Sequence, residues 1–523
     1  MFSPKSKSAE AEAGSSSGRE SAPVACQEPA PAAAKEPSLA AEARKVLTAC
    51  REHAAAQEWS DVIRKTQDRA LLKRQPLLLM QRTYAALLAK DEAVIKEAVE
   101  CLLEADTPVN VKLSAVKELA VYHHPADAAS ILLDDPTVRS DPRYLSASKQ
   151  VFARLKDPAL RARLKAAVSD VLKGGDRINP EKASFDFATQ PPNEVWGTVD
   201  LLASPKTSPH HAEMLNGDAA KFRASMEASK QPRLLEYRNV FTDPSGQIWN
   251  EDGQVILSFG EKISTLNRSD VKTIPIGFAA NRRSKGIYHW LIDYLARFGW
   301  IAESGILQDR DFRILINGEA PKFEQASLDL LGLGEATAPL TETVFVERLL
   351  VASVSFRGMV GWRHLDSVFT TLGERATSMA AEHGLALPDK VYITRRDADR
   401  RVMTNEAEIE ALARVRGFDI YEFSAIPLWH QIALMRNAAT IMAPHGAGLS
   451  HIIFSPPGTK IIELLPIKDG SYLLRFNYAR LSIIKGHDYR AWVEEQYPLV
   501  NSWTVDIPNF KVFLDDALGV SRS

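Results

Sequence analysis

Ala443-Pro444-His445-Gly446-Ala447-Gly448-Leu449-Ser450, followed by His451-Ile452-Ile453-Phe454-Ser455-Pro456-Pro457-Gly458, joins two apolar runs. Residues 440–443 read as a buried strand ending at Pro444, and residues 459–465 read as the next strand. Between them the sequence predicts a glycine-rich turn, a short helix from Leu449 and a Pro-Pro-Gly stop. Such a turn aims free backbone N–H groups at whatever docks there, and the helix dipole adds partial positive charge. An anion such as a diphosphate suits it, with His445 at the mouth as a donor or, when protonated, as a charge. A tight strand-to-helix turn without a ligand is the alternative, because Gly-x-Gly turns are common.

The stretch upstream favours the ligand. Residues 391–406, Val-Tyr-Ile-Thr-Arg-Arg-Asp-Ala-Asp-Arg-Arg-Val-Met-Thr-Asn-Glu, are a strand that runs into arginines 395, 396, 400 and 401. The two aspartates among them allow a self-paired surface. Ligands in open α/β sheets, however, bind at strand ends, and a guanidinium forks phosphate oxygens well. One strand ending in Arg-Arg and another ending in His-Gly-Ala-Gly predict a shared polyanion site.

The chain has 523 residues, net charge −2, 45% apolar and 25% charged residues. Length suggests three domains, and the composition is that of a soluble protein. The balanced charge gives no reason to expect nucleic-acid binding. Cys26, Cys50 and Cys101 all fall in the first fifth, with no zinc or disulfide pattern, which suits a reducing compartment. No apolar stretch is long enough to span a bilayer, and residues 1–7 lack the apolar core of a secretory signal.

Residues 1–37 carry few large apolar side chains and are expected to be a disordered tail. Residues 38–174 show only helical spacing, with fresh helices expected after Gln57-Glu58-Trp59, Lys90-Asp91-Glu92 and His124-Pro125-Ala126-Asp127. That period of about 34 residues suits tetratricopeptide-like hairpins, with an irregular bundle as the alternative. Either is a protein-docking element. The adjacent His123-His124 points in two directions on a helix and is not expected to bind metal. Gly174-Gly175 mark a boundary. Beyond it, residues 236–241 with 254–257 suggest a hairpin around Asp252-Gly253. Residues 288–300 read as a helix, and 312–316 and 343–346 as strands. Alternating elements argue for α/β with parallel sheets.

The ordered run Tyr392–Arg396, Arg400-Arg401, Asn405-Glu406, Gly417-Phe418, Gln431-Ile432-Ala433, Pro444–Leu449, Phe454, Pro457-Gly458 and Glu463 resembles glycosyltransferase family 61. It covers roughly seventy residues and is specific as a set. His289-x-x-x-Asp293 fits the family's first half. The resemblance extends from Phe185 to the C-terminus, thin between 299 and 389, and departs at Ser450-His451, where relatives often have Thr-Asn. It implies an α/β glycosyltransferase of type B fold, with two Rossmann-like domains facing a cleft, preceded here by the all-α region. The expected division is 185–370 for the acceptor and 371–523 for the donor. It also implies inverting transfer of a sugar from a nucleotide-sugar donor, UDP-linked in our expectation, without metal or cofactor. The acceptor expected is a glycan, such as capsular or lipopolysaccharide precursor. Eukaryotic relatives work in secretory compartments, so the chain is expected to be a bacterial-type cytoplasmic member, or one peripheral at the inner membrane.

Such a transfer needs a base for the acceptor hydroxyl and cationic groups for the departing diphosphate. His289 and Asp293 stand at i and i+4 and can meet. Either Asp293 is the base, which we favour, or His289 is the base and Asp293 orients it; a domain-locking pair without chemistry is the third option. Arg395, Arg396, His445 and the backbone of Gly446, Ala447 and Gly448 are expected on the diphosphate. Glu463 is expected on the ribose hydroxyls or at the surface. Asn405 is expected to fix the arginine loop. Asp397-Ala398-Asp399 mimics a metal motif, but the flanking arginines repel a divalent ion. His430 and His451 are expected to be helix or core residues, and Trp362-Arg363-His364 is a candidate for the acceptor cleft. The rivals are a nucleotide-sugar epimerase, which needs two opposed carboxylates, and a binding or scaffolding protein with a degenerate transferase half.

Overall fold

The computed structural model of the chain describes residues 39–139, 141, 143–172, 181–182, 196–209, 212–213, 233–253, 255–257, 266–283, 285–353, 367–467, 476–496 and 502–520. The expected tail, Cys26, the Gly174-Gly175 boundary and the Trp362-Arg363-His364 stretch lie outside them.

Every described element between Leu39 and Leu172 is a helix. Helix starts follow from local chemistry. Asp68 and Asp91 accept from the N–H groups of Ala70 (2.8 Å) and Val94 (3.2 Å), and Pro76 and Pro125 sit in first turns, where a missing donor costs nothing. Helices Trp59–Lys65, Glu92–Leu103 and Pro125–Asp134 begin one to three residues earlier than expected, inside the flanking segments themselves. His123 ends a helix with a left-handed backbone, and His124 pairs with Asp127 at 3.4 Å. Cys50 is buried in this region, and burial pushes its thiol up to about 11.

The first sheet is mixed. Its strands run in the order Val255–Leu257, Ile248–Asn250, Arg233–Thr242, Val344–Ser353, Thr273–Ala279, Phe312–Asn317, Thr337–Leu340. The last four are mutually parallel, and the rest pair antiparallel. The expected hairpin is corrected here. The turn at Asp252-Gly253, with Gly253 at φ +74°, joins 248–250 to 255–257, and it is residues 240–242 that pair with 248–250. Ile248–Asn250 is too short to show strand alternation in the sequence.

The second sheet is all parallel, in the order Asp419–Tyr421, Lys390–Ile393, Thr440–Pro444, Lys460–Ile467, Asp488–Glu495, Thr198–Ala203. A division at residue 370 therefore leaves one strand of this sheet on the N-terminal side. Both faces are covered, which is why its strands read as unbroken apolar runs. Side chains alternate between two cores. Val391, Ile393, Ile441, Ala443, Ile461 and Leu465 join a cluster that continues into the first sheet through Leu350 and Phe278. Tyr392, Met442, Ile462 and Leu464 meet helices Glu406–Val415 and Ile507–Leu518 on the other face.

A buried ion pair braces the first half. Arg282, in the loop after strand Thr273–Ala279, donates through Nε to Glu324 at 2.9 Å, and neither residue is more than 2% exposed. Arg282 also lies over the rings of Trp290 and Tyr294. Burial holds the Glu324 carboxyl above the usual range, with Arg282 opposing that shift. Arg282→Met is expected to destabilise the chain by about 3–5 kcal/mol, because it strands a buried carboxylate. Adding Glu324→Leu should restore most of the urea midpoint; a single variant that unfolds like wild type would show that the pair does not brace this half.

Candidate functional site

The strand order 419–421, 390–393, 440–444, 460–467 reverses direction between Lys390–Ile393 and Thr440–Pro444. These two strands pair in parallel, Tyr392 opposite Met442, and the chain leaves them toward opposite neighbours. A crevice outside the carboxyl ends is the geometric result. Arg395 and His445 are the residues that emerge there.

His445 is 8% exposed, and its Nδ1 lies 2.5 Å from Glu463 Oε1. Glu463 is fully buried, and its other oxygen accepts from the Tyr489 hydroxyl. Each oxygen of Glu463 thus has a partner inside the fold, and the carboxylate is not the surface group that the alternative expected. Strand Lys460–Ile467 is longer than the sequence suggested, so Glu463 lies inside it, not at its end. The backbone N–H of His445 donates to Leu464 O at 2.8 Å, which continues the sheet ladder under the imidazole. Tyr478 packs against the His445 ring at 5.3 Å, and its hydroxyl donates to Gly446 O at 2.5 Å. Burial, then the Glu463 charge, push the Tyr478 phenol far above its ordinary value, so it stays a donor.

Arg395 crosses the turn. Its guanidinium donates to the carbonyl of His445 and, at 3.1 Å, to that of Arg400. Gly446 is extended at φ −176°, so it needs no special backbone freedom. It supplies room: a Cβ there would stand 2.6 Å from Arg395 Cδ and 2.7 Å from Nε. At Gly448 a Cβ would be 3.0 Å from Ile393 Cγ2, so this glycine lets the turn sit on the strand. The helical turn begins at Ala447, not Leu449, and is of the tighter 3-10 type through Phe454. Its first N–H groups have no intrahelical acceptor.

Arg396 goes elsewhere. It is exposed and pairs through Nε with Glu410 at 2.9 Å, so the structure does not bring it to the His445 turn. Buried Glu406 anchors the strand end by accepting from Arg395 N (2.7 Å), Thr394 Oγ1 (3.0 Å) and Tyr392 Oη (3.2 Å). Asn405 fixes the loop as expected: it donates to Val505 O at 2.9 Å and accepts from Val505 N at 3.1 Å. Asp397 and Asp399 are exposed in a turn closed by Ala398 N to Arg395 O. Among the described residues the one trio spaced to hold a metal ion is His53, Glu58 and Asp61, in the helical region, where Asp61 already pairs with Arg64.

His289 Nδ1 lies 2.8 Å from Asp293 Oδ2. The expected single helix over 288–300 is broken instead. An α turn, Ile287–His289, passes into a wide π turn, Trp290–Tyr294, and then a 3-10 turn, Leu295–Phe298. Trp290, fully buried with its indole N–H on Ser327 Oγ at 2.7 Å, pins that distortion. Wide turns of this kind recur at functional sites. The pair is exposed on the His289 side and half-buried at Asp293. This segment packs against Ala447–Phe454, and the Tyr288 ring meets Tyr478 edge-on at 5.9 Å. A run of rings, His289, Tyr288, Tyr478, His445, thus joins the two predicted pieces of the site.

The arrangement can hold an anion between Arg395 and the 446–448 turn, and it sets a carboxylate–imidazole pair nearby. Sequence reasoning missed Tyr478, Tyr288 and Tyr489, which no motif flags. It also missed Arg401, which was quoted only as part of a pattern. His430 sits half-buried in helix Leu428–Asn437, and His451 is a core residue, bonded to Gly448 O at 2.9 Å.

Residues 287–462 match the model of the family Glycosyltransferase 61, and the chain carries that domain. Over 139 residues it is 32% identical to the EGF domain-specific O-linked N-acetylglucosamine transferase of Drosophila melanogaster, covering 24% of this chain and 25% of that protein. Over 97 residues it is 25% identical to the protein of the same name from Xenopus laevis, covering 18% of each. The chain thus spans about a quarter or less of the length of these relatives. No helix among the described residues is long and apolar enough to cross a membrane.

Two outcomes are expected. Gly446→Ala should weaken pyrophosphate binding as much as Arg395→Ala does, and the double variant should be no worse than either, because all three disturb one side chain. Additive losses in a calorimetric titration would separate the two residues. The second outcome concerns pH. Burial lowers His451 to about 4 and His487 to about 3, so both stay neutral in the fold while the unfolded chain takes up their protons below about 6.5. Their stabilisation is complete above pH 6.5 and falls as pH drops toward 4, by about 1.4 kcal/mol per unit for each histidine. His487→Gln should flatten the melting temperature between pH 6.5 and 5; an unchanged slope would count against it.

Proposed function

We propose that this chain is an inverting, metal-independent glycosyltransferase that moves a sugar from a nucleotide-sugar donor, UDP-linked, to a glycan acceptor such as a surface-glycan precursor. The observation that carries the proposal is the meeting at one sheet crevice of the Arg395 guanidinium, the His445–Gly448 turn and the segment bearing His289 and Asp293. The family match over 287–462 supports the reaction class. The donor half is the one built on the second sheet, 371–523, with strand Thr198–Ala203 added. The acceptor half, 185–370, faces it in the type B arrangement. Because both relatives are named for N-acetylglucosamine transfer, UDP-N-acetylglucosamine is the first donor to test. The helical region, 38–174, docks a protein partner.

In the reaction, an acceptor hydroxyl oxygen attacks the anomeric carbon of the donor sugar. The bond from that carbon to the diphosphate oxygen breaks, and its electron pair leaves with the diphosphate. Asp293 takes the hydroxyl proton, and His289, hydrogen-bonded to its carboxylate, orients it. One displacement inverts the anomeric centre. Arg395 and the backbone N–H groups of 446–448 meet the negative charge that grows on the diphosphate, in a site already shaped for it. The charge comes from guanidinium and amide groups, so the proposal assigns no step to a metal ion.

Asp293→Asn is expected to cut turnover by about 10²–10⁴-fold and leave donor affinity near wild type. His289→Gln should lose less. Measured with radiolabelled donor and an acceptor panel, full turnover in Asp293→Asn would remove Asp293 from the base role; a greater loss in His289→Gln would transfer that role to the imidazole.

A further inference from the structure

Of the four arginines in 395–401, only Arg395 has been placed in the crevice so far, and Arg396 is held by Glu410. The chain returns across Arg395 at Arg400-Arg401, since Arg395 Nη2 donates to Arg400 O. Arg401 then adopts φ +54°, a left-handed conformation that residues with a Cβ rarely take. Such a backbone persists only where its surroundings impose it.

The imposing group is the segment 502–505, which lies outside the matched region 287–462. Trp503 Nε1 donates to Arg401 O at 2.9 Å. Val402 and Met403 pair in parallel with Ser502 and Trp503, and Thr404 N donates to Trp503 O at 2.9 Å. Asn405 and Val505 close the lock with their mutual bonds. Trp503 itself is 4% exposed, set in the core with Met403 and Phe510. So much fixation of one exposed-loop arginine is costly unless its side chain has a task. That side chain is half-buried, and both guanidiniums sit within the influence of Tyr478. The geometry that brings the two arginines to one place is the bond from Arg395 to the carbonyl of Arg400, the residue next to Arg401, and after burial the charge of Arg401 is the next cause that draws Arg395 below its ordinary value. A diphosphate offers oxygens for two guanidinium forks and offsets their repulsion.

We propose that Arg401 is the second diphosphate-binding arginine of this site, in the role the sequence suggested for Arg396, and that Trp503 is its positioning residue. The proposal rests on the diphosphate reading of the crevice.

The test is calorimetric titration of the full chain with UDP, UMP and inorganic pyrophosphate. Arg401→Gln is expected to weaken UDP and pyrophosphate by about tenfold or more, the size of a lost charge-assisted hydrogen bond, and UMP by less. Arg401→Lys, which keeps the charge without the fork, should recover part of the loss. Arg396→Gln should bind UDP as wild type does. Trp503→Phe keeps the packing and loses the N–H, so it should weaken UDP by a smaller factor and add nothing in the Arg401→Gln background. A structural role alone would instead add there. The proposal is overturned if Arg401→Gln holds UDP and pyrophosphate like wild type, or if Arg396→Gln loses as much. Should wild type bind pyrophosphate but not UDP, the nucleotide-sugar reading falls, and the arginine comparison on pyrophosphate still decides. Should it bind neither, both fall.

Discussion

Glu463 has no contact with water and gives its two oxygens to an imidazole and a phenol. A buried carboxylate is expensive, and hydrogen bonds from His445 and Tyr489 are what make it tolerable. The bond in turn fixes the ring of His445 and, through the strand ladder, the direction in which the chain leaves Thr440–Pro444. The His445 carbonyl is where Arg395 docks, and the Gly446 carbonyl is where Tyr478 docks. Remove the carboxylate and the imidazole loses the bond that orients it. The turn is therefore organised by the protein's own bonds, and an anion site of the kind proposed above would be shaped in advance, the condition under which fixed dipoles and charges stabilise a leaving group.

The same turn is one of the places where the two α/β halves touch, beside the core cluster they share. Segment Ile287–Tyr294, bent by its π turn and held by Trp290, Arg282 and Glu324, lies against Ala447–Phe454. Half-buried Tyr288 and buried Tyr478 meet there, both phenols driven upward by their surroundings. The His289–Asp293 pair on one half thus lies one ring contact away from the glycine turn on the other.

Much of this was legible in the sequence because it is written locally. The second sheet's apolar runs, the glycine turn and the arginine-bearing strand end each carry their own signal, and the structure brings Arg395 and His445 together at the crevice. What the sequence did not yield depends on which way a side chain points. Arg395 and Arg396 are neighbours, yet one crosses to the His445 carbonyl and the other turns to Glu410. Glu463 alternates with Ile461 and Leu465 on the face turned toward the shared core, which a strand ended two residues early conceals. The break in helix 288–300 is a tertiary effect, imposed by Trp290 and Arg282, and its apolar periodicity alone gives no hint of it. The short strand Ile248–Asn250 and the reach of Trp503 to Arg401 span separations that no motif encodes.

The central claim is that a pyrophosphate group sits between the Arg395 guanidinium and the backbone of 446–448. A crystal structure with UDP soaked in tests it most directly. The account requires the two phosphates within hydrogen-bond reach of Arg395 and of those amides, at the carboxyl ends of Lys390–Ile393 and Thr440–Pro444. Nucleotide density anywhere else on the molecule, with this crevice holding only solvent, would contradict it.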